Sequence, residues 1–122
     1  MSKDRFNFRF YDKEDNVMIY PENNVFIGRC FRLDLGDMLL RDRFIPMQYI
    51  GINDKNGKPV CEGDILEDKY GALHAISWNE KGFYESDTFA VAGFYKTIQE
   101  DMEILGNIYE NKKLLKLIER TN

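Results

Sequence analysis

With 122 residues, 43% of them hydrophobic and 14% aromatic, the chain is long and apolar enough to form one domain with its own core, which excludes a disordered chain. Its 17 basic and 21 acidic residues give a net charge of −4, and this balance disfavours wholesale binding to a phosphate backbone, because such affinity comes mainly from Lys and Arg. The first ten residues lack the apolar segment of a signal peptide, and no apolar run reaches the roughly 18 residues that a membrane helix needs. We therefore expect an intracellular protein with no membrane segment and two reduced thiols, Cys30 and Cys61.

The first 46 residues hold six of the seven arginines, namely Arg5, Arg9, Arg29, Arg32, Arg41 and Arg43. Arginine is preferred where bidentate contact with an anion matters, so this third of the chain is the expected anion-facing part, with Arg5 and Arg9 as its candidates. The alternative is that these arginines form the solvent-facing side of strands and bind nothing.

The N-terminus alternates with the period of a half-buried strand. Its two faces carry aromatic and polar side chains respectively: Phe6, Phe8 and Phe10 against Arg5, Asn7 and Arg9. Residues 11–16 are rich in turn formers and residues 17–20 are apolar again, so a hairpin is predicted. The aromatic face could stack single-stranded bases, but the arginines lie on the opposite face of the strand, which favours core packing instead.

The next segment predicts one strand and a less regular stretch. Residues 25–33 are apolar and predict a strand, with a bulge or a close backbone approach at Gly28. Residues 35–45 predict a short helical turn or a loop, because Asp34 could cap a helix but Gly36 weakens one by about 1 kcal/mol.

The middle of the chain predicts short strands joined by tight turns. Residues 47–52, 59–61 and 65–67 are the predicted strands. Between them, Asp54 is expected to bond its own backbone and Gly57 to supply a positive φ. In the second turn Gly63 takes the backbone angle that other residues resist, and Asp64 caps the turn.

The last third predicts further strands and a final helix. Residues 72–78 alternate, with Ala72, His74, Ile76 and Trp78 on one side and Leu73, Ala75 and Ser77 on the other. A turn at 79–82, a strand that begins at 83–84 and is broken at 85–87, and strands at 89–95 and 104–109 follow. Asn111 is the predicted cap of an amphipathic helix that ends at Arg120. Many short strands with Gly-bearing turns are typical of a small barrel or sandwich.

Acidic and amide side chains crowd residues 48–66, but they do not fit a known ligand loop. A calcium loop needs acidic ligands at three alternate positions, and here Gly57 and Pro59 intrude; a P-loop ending in Gly-Lys-Ser/Thr is absent. We favour turn formation. Two alternatives stay open: a weak divalent-ion cluster of Asp54, Asp64, Glu67 and Asp68, and a nuclease set of Asp64, Glu67 and Lys69. His74, the only histidine, is favoured as a structural residue over a base. No catalytic residue, metal site or cofactor is therefore predicted.

The stretch "MQYIGINDKNGKPVCEGDIL" (47–66) resembles the YopX family of small proteins encoded by phages and prophages. The opening "FRFYDKEDNVMIY", the strand "ALHAISW" and the ending "EILGNIYEN" before a leucine-rich helix agree with it, so the resemblance covers nearly the whole chain. The matching positions are Gln48, Tyr49, Gly51, Asp54, Gly57, Glu62, Gly63, Asp64, Gly106, Asn107 and Tyr109, and their simplest role is shaping turns and packing.

The resemblance implies a mainly β fold with a short C-terminal α-helix. Together with the Gly63-Asp64 step, which is common at strand starts in SH3-like barrels, we expect a small SH3-like barrel preceded by an N-terminal β-hairpin region. The resemblance implies a single domain over residues 1–122, with a subdivision into 1–46 and 47–122 left open, and a phage or prophage origin in a bacterial cytoplasm. It supplies no activity. We expect a non-enzymatic accessory module that binds a host or phage protein; a nucleic-acid-binding module using the arginine-rich third is the alternative, and a metal-dependent hydrolase a weaker one. Self-association is left open.

Overall fold

The structure is a computed structural model that describes residues 8–22, 25–78, 84–86 and 94–121. Its strands are β1 Phe8–Asp12, β2 Val17–Ile19, β3 Pro21–Glu22, β4 Val25–Ile27, β5 Arg32–Asp34, β6 Phe44–Asn53, β7 Pro59–Cys61, β8 Asp64–Glu67, β9 Leu73–Trp78, β10 Tyr84–Ser86 and β11 Glu103–Asn107. Its helices are α1 Leu35–Leu39, α2 Phe94–Asp101 and α3 Lys112–Thr121. The predicted fold class, mainly β with a short C-terminal helix, is confirmed.

The chain divides into two compact units, Met1–Tyr49 and Ile50–Asn122, which we call unit 1 and unit 2. Within the described residues, hydrogen bonds organise the strands into three sheets, with the orders β2-β1-β6-β7, β3-β4-β5 and β10-β9-β8-β11. The β1–β2, β1–β6, β3–β4, β4–β5, β8–β9, β8–β11 and β9–β10 pairs are antiparallel.

The N-terminal hairpin in unit 1 is confirmed for the residues that the structure describes. β1 pairs with β2 in a register that sets Phe10 opposite Ile19, and with β6 in one that sets Phe10 opposite Pro46. β1 runs through Asp12, so the turn is shorter than predicted and ends at Asn16, whose φ is 56°.

The single strand predicted over residues 25–33 is wrong, because the chain reverses at Gly28. The Gly28 amide donates to the Phe31 carbonyl at 3.0 Å, and β4 and β5 pair on either side of this turn. The Phe31 ring lies so close to Gly28 that a β-carbon there would collide with it. The glycine therefore marks a turn with a close ring approach and not a bulge inside a strand.

Helix α1 is the short helical turn that the sequence predicted. The Asp34 side chain accepts a hydrogen bond from the Asp37 amide at 2.9 Å, which is the predicted cap. Met38 is fully buried on its inner face, and β6 begins at Phe44, three residues before the predicted strand.

Aromatic side chains fill the core of unit 1. The buried cluster consists of Phe10, Ile19, Phe26, Met38 and Phe44, with Phe8, Phe31, Leu33 and Leu35 packed against it. The Phe10 and Phe26 rings meet edge to face with centroids 5.0 Å apart, an arrangement that aromatic pairs prefer.

In unit 2 the strands β8, β9 and β11 have apolar side chains on both faces. Leu66 and Ile76 belong to one buried cluster with Ile98 of α2, whereas Ile65 and Ala75 belong to another with Ile118 of α3. The alternation predicted for residues 72–78 places His74 and Ile76 together as expected, but the opposite side is also buried. This explains why β9 carries few polar side chains.

Helix α2 was not predicted. Residues 89–95 were expected to form a strand; the structure instead begins a helix at Phe94, and residues 89–93 lie outside the described part. Ile98 and Met102, four residues apart, are both fully buried, so burial of one helical side outweighs the β propensity of Tyr95 and Thr97.

Two smaller boundary predictions also need correction. Glu85 and Ser86 belong to β10 and do not break it. The last strand ends at Asn107, two residues before Tyr109, because residues 108–110 form a turn that leads into α3. The predicted turn at 79–82 lies outside the described residues.

Candidate functional site

The carboxylate of Asp54 is fully engaged by backbone amides. One oxygen accepts hydrogen bonds from the amides of Asn56 and Lys58, both at 2.9 Å, and the other accepts from the Ile104 amide at 3.0 Å. The residue is 4% exposed. Asp54 thus closes its own turn, as predicted, and also ties that turn to the start of β11.

The second turn of the motif has the same construction. Asp64, which is buried, accepts a hydrogen bond from the Cys61 amide at 2.8 Å. Gly63 donates to the Ile76 carbonyl and accepts from the Ile108 amide, both at 2.9 Å. The positive φ predicted at Gly57 and Gly63 is confirmed, with values of 82° and 90°.

A third turn, between β11 and α3, is built around Asn107. Its side-chain oxygen accepts from the amides of Tyr109 at 3.0 Å and Glu110 at 2.8 Å, and its amide nitrogen donates to the Glu110 carboxylate at 2.9 Å. These bonds occupy the polar atoms of a side chain that is 5% exposed. Asn107 is therefore a structural residue of this turn.

Asn111 immediately precedes α3, but its side chain is directed toward the preceding residues 106 and 107. Its backbone carbonyl accepts from the Leu114 amide at 3.0 Å, as expected of a residue that precedes a helix. Its side-chain oxygen instead accepts from the Asn107 amide at 3.0 Å, and it lies so close to Gly106 that a β-carbon there would collide with it. β11 carries a bulge just before this glycine, between Ile104 and Gly106.

The remaining motif positions differ in their exposure to solvent. Gln48, Tyr49, Glu62 and Tyr109 are half-buried, and Gly51 is exposed with a φ of 97°. Burial raises the pKa of Tyr109 above its ordinary value, and the nearby Glu62 carboxylate raises it further, so the hydroxyl stays protonated. Glu62 and Tyr109 therefore act on each other electrostatically.

The buried His74 and the half-buried Asp68 form a pair that the sequence did not indicate. His74 Nε2 lies 2.8 Å from Asp68 Oδ2, and the two side chains are 6% and 13% exposed. Burial of Asp68 favours its neutral form, but the His74 hydrogen bond and the amides of Ala72 and Tyr70 outweigh it and lower the carboxyl pKa. His74 is satisfied structurally, in line with the favoured interpretation.

The main ionic feature of unit 1 is a network around Asp12 and Arg43, which are 31 positions apart. Arg43 donates to both oxygens of the buried Asp12 at 2.8 Å, and to Asp15 at 3.2 Å. Its guanidinium also lies 5.3 Å from the Phe31 and Phe44 ring centroids. The Arg43 hydrogen bond outweighs burial and lowers the pKa of Asp12.

The solvent-facing placement of Arg9 is wrong. Arg9 is 7% exposed, with its guanidinium 3.8 Å from the Met47 sulfur. Arg5 and Phe6 lie outside the described residues. The described arginines of the first third that are exposed are Arg29, Arg32 and Arg41. An anion-binding role for Arg5 and Arg9 stays a prediction.

The two acidic sets considered for metal chemistry are not brought together as a ligand group. Within the described part of the chain, no group of three or more His, Cys, Asp or Glu side chains could hold a metal ion. Asp64 and Glu67 stand three apart on β8, so strand geometry directs their side chains to opposite faces. Over the same residues, no helix has both the length and the apolarity to cross a membrane.

Exposed apolar side chains are the feature that sequence reasoning missed. Leu39 and Leu40, at the end of α1, are 49% and 85% exposed, and Tyr70, in the β8–β9 turn, is 83% exposed. The available signal was their position: Leu39 and Leu40 lie at the end of a short helix, and Tyr70 immediately precedes the turn residue Gly71.

The comparisons with known proteins agree with this fold. The chain is similar to a solved structure described as protein EF1440 from Enterococcus faecalis, with 24% sequence identity and a TM-score of 0.64. The match covers 89% of this chain and 96% of that one, and it concerns the fold alone. No curated protein matches the sequence. The family described as YopX protein matches residues 7–116, and the chain therefore belongs to the YopX family.

Proposed function

We propose that the protein is a phage- or prophage-encoded, non-enzymatic module of the bacterial cytoplasm that binds a host or phage protein. The proposed contact surface is the α1 leucine pair, Leu39 and Leu40. It stands at the end of a helix that Asp34 caps, and the buried Met38 fixes that helix to the core of unit 1.

One observation carries this proposal: two adjacent leucines are exposed to water, and one of them is 85% exposed. Single exposed apolar residues are ordinary on protein surfaces, whereas adjoining ones favour an interaction site. Binding would shield both leucines from water. Burial of apolar surface favours association by roughly 25 cal/mol per Å².

The state of the motif side chains supports a binding role over catalysis. A catalytic carboxylate needs a free oxygen that can reach substrate. Both oxygens of Asp54 instead hold backbone amides, and Asn107 is similarly occupied. The residues by which the sequence resembles its family thus support a structural role.

Nucleic-acid binding remains the second candidate, because Arg29, Arg32 and Arg41 are exposed in unit 1. Arg43 does not support it, since its guanidinium holds Asp12. Heparin retention that falls steeply with salt would favour this candidate. For a metal-dependent hydrolase, the weaker candidate, the sign would be a thermal shift with Mg²⁺ or Mn²⁺ that Asp64→Asn abolishes.

The binding proposal is tested with the double variant Leu39→Ser/Leu40→Ser and the matched control Ile27→Thr. Ile27 is 45% exposed in the same unit, close to the exposure of Leu39. Proteins that co-purify from the bacterial host would be compared for the wild type, the double variant and Ile27→Thr. For any protein recovered in different amounts, the affinity would then be measured by calorimetry.

We expect a partner whose affinity falls by about tenfold or more with the double variant and stays within about twofold with Ile27→Thr. Thermal unfolding should place both variants close to the wild-type protein, because the substituted side chains are exposed. An identified partner that binds the double variant as tightly as the wild type would contradict the assignment of this surface.

A further inference from the structure

The turn that Asp54 closes, residues 54–58, contains a chemically reactive pair, Asn56 followed by Gly57. It is the one Asn-Gly step in the sequence, and both residues are exposed. An asparagine before glycine can lose its side-chain amide, because the next backbone nitrogen attacks the side-chain carbonyl carbon and glycine has no side chain to hinder the attack. This reaction needs no enzyme and no cofactor. We call the segment the Asp54 turn.

The reaction has two steps, and water is its only co-reactant. In the first, a base in water takes the proton of the Gly57 amide, and the nitrogen bonds to Cγ of Asn56. The side-chain NH2 leaves with a proton as ammonia, and a succinimide ring remains. In the second step water adds to one carbonyl carbon of the ring and breaks its bond to nitrogen. Opening at Cγ gives aspartate, and opening at the backbone carbonyl gives isoaspartate.

Two hydrogen bonds of the folded turn cannot coexist with this ring. The Gly57 amide donates to the Asp54 carbonyl at 3.0 Å, and this N–H no longer exists once the ring has closed. The side-chain nitrogen of Asn56 donates to Glu103 Oε2 at 3.2 Å, and this nitrogen is the atom that leaves. The reaction therefore consumes the donor of both bonds.

The Asp54 carboxylate holds the same backbone in place. Its Oδ1 accepts from the amides of Asn56 and Lys58, both at 2.9 Å, and its Oδ2 accepts from the Ile104 amide at 3.0 Å. Ring closure would place the Asn56 backbone and side chain in one nearly planar ring, whereas these bonds keep that backbone in a turn. The folded turn thus resists the reaction to which its sequence is prone.

We infer that Asn56 is a site of spontaneous deamidation, and that the Asp54 turn suppresses the reaction while the chain is folded. Modification then follows local opening of the turn, so its rate depends on how often this part of unit 2 opens. Aspartate would set a second carboxylate beside that of Glu103, and isoaspartate would lengthen the backbone of the turn by one carbon. Either product weakens the connection between the turn and β11. The inference is independent of the α1 leucine pair.

The first experiment follows deamidation by peptide mass spectrometry in the full chain, incubated in mildly alkaline buffer either folded or unfolded in guanidinium chloride. Asn16 is the internal control, because it is also exposed in a turn but precedes the β-branched Val17. In the unfolded chain Asn56 should react faster than Asn16. In the folded chain Asn56 should react slower than in the unfolded chain by about tenfold or more.

The second experiment measures the same rate in folded variants, with folding checked by circular dichroism. Asp54→Ala should raise the rate at Asn56 by about tenfold or more, whereas Asp64→Ala, which removes a buried carboxylate from another turn of unit 2, should change it by less than about twofold. Glu103→Ala leaves the Asp54 turn intact and should raise the rate by about two- to fivefold. If Asp54→Ala does not fold, Glu103→Ala and the first experiment provide the test.

Three results would overturn the inference. If Asn56 reacts no faster than Asn16 in the unfolded chain, it is not a modification site. If Asn56 reacts equally fast in the folded and unfolded chains, the turn does not suppress the reaction. If Asp54→Ala and Asp64→Ala change the rate by the same factor, the suppression does not come from Asp54.

Discussion

Unit 1 and unit 2 are stabilised by different kinds of contact. In unit 1, phenylalanine rings fill the core, and the buried carboxylate of Asp12 is neutralised by a distant arginine besides accepting from the Glu14 and Asp15 amides of its own turn. In unit 2, branched aliphatic and methionine side chains fill two layers, and buried carboxylates or amides hold the backbone of the turns. A turn closed by its own side chain depends on local sequence, whereas an ion pair across the unit does not.

This difference explains why the recognisable motif lies mainly in unit 2. The side chains of Asp54, Asp64 and Asn107 each accept from amides within four residues of their own position, and each needs a particular residue type to do so, although Asp54 also holds the distant Ile104 amide. The aromatic core of unit 1 needs only apolar side chains of suitable volume, which many sequences supply. The motif therefore indicates a fold more directly than it indicates an activity.

The largest effect is expected from Asp54→Ala in unit 2. The substitution leaves the amides of Asn56, Lys58 and Ile104 without their acceptor, so we expect the free energy of unfolding to fall by about 2–4 kcal/mol. Urea unfolding followed by tryptophan fluorescence measures it. The exposed control Asp42→Ala in unit 1 should change it by less than about 0.5 kcal/mol. Equal effects of the two variants would contradict the structural role assigned to Asp54.

Gly106→Ala should have the next largest effect. A β-carbon at Gly106 would collide with the Asn111 side chain, so the turn into α3 must shift, at a cost of about 1–3 kcal/mol. Gly36→Ala, in α1, meets its nearest atom at 3.5 Å and should leave stability unchanged or raise it by up to about 1 kcal/mol. Both are measured by urea unfolding. The double variant Gly106→Ala/Asn111→Ala removes the side chain that the β-carbon would meet, so it should be more stable than the sum of the two single effects predicts. If it is not, the collision does not cause the destabilisation.

Asp12→Asn should have its clearest effect in acid. Because the folded-state pKa of Asp12 is lowered below 3.8, its ionisation stabilises the fold above that pH, and this stabilisation is lost as the pH falls through the lower folded value. The free energy of unfolding, measured from pH 7 to pH 2, should therefore fall less steeply below about pH 4 in the variant than in the wild type. Asp68→Asn should act in the same direction in unit 2, since the pKa of Asp68 is also lowered. Parallel curves for Asp12→Asn and the wild type would contradict the role assigned to Arg43.

Local features of the fold could be predicted from the sequence, and distant ones could not. The turns at Asp54 and Gly63 and the cap at Asp34 follow from the chemistry of single residues, and each was predicted. The Asp12–Arg43 pair was missed because nothing in either residue's neighbourhood indicates a partner 31 positions away.

Helix α2 and the exposed side chains show the same limit. The buried positions of α2 have helical spacing, but the segment is short and rich in β-forming residues, so only packing against the sheet of unit 2 decides its structure. Leu40 and Tyr70 resemble core residues in type, and only their place in the fold leaves them in water. The candidate surfaces were therefore the part of the molecule that the sequence indicated least.

Amide hydrogen exchange on the wild-type chain tests most directly whether the polar side chains of unit 2 are structural. The diagnostic amides are those that donate to a buried carboxylate or amide oxygen: Asn56, Lys58, Cys61, Ile104, Tyr109 and Glu110. We predict that they exchange as slowly as the neighbouring strand amides, although most of them lie in turns. Exchange at the rate of an unstructured peptide would show that the carboxylates are free for other chemistry, and would contradict the account.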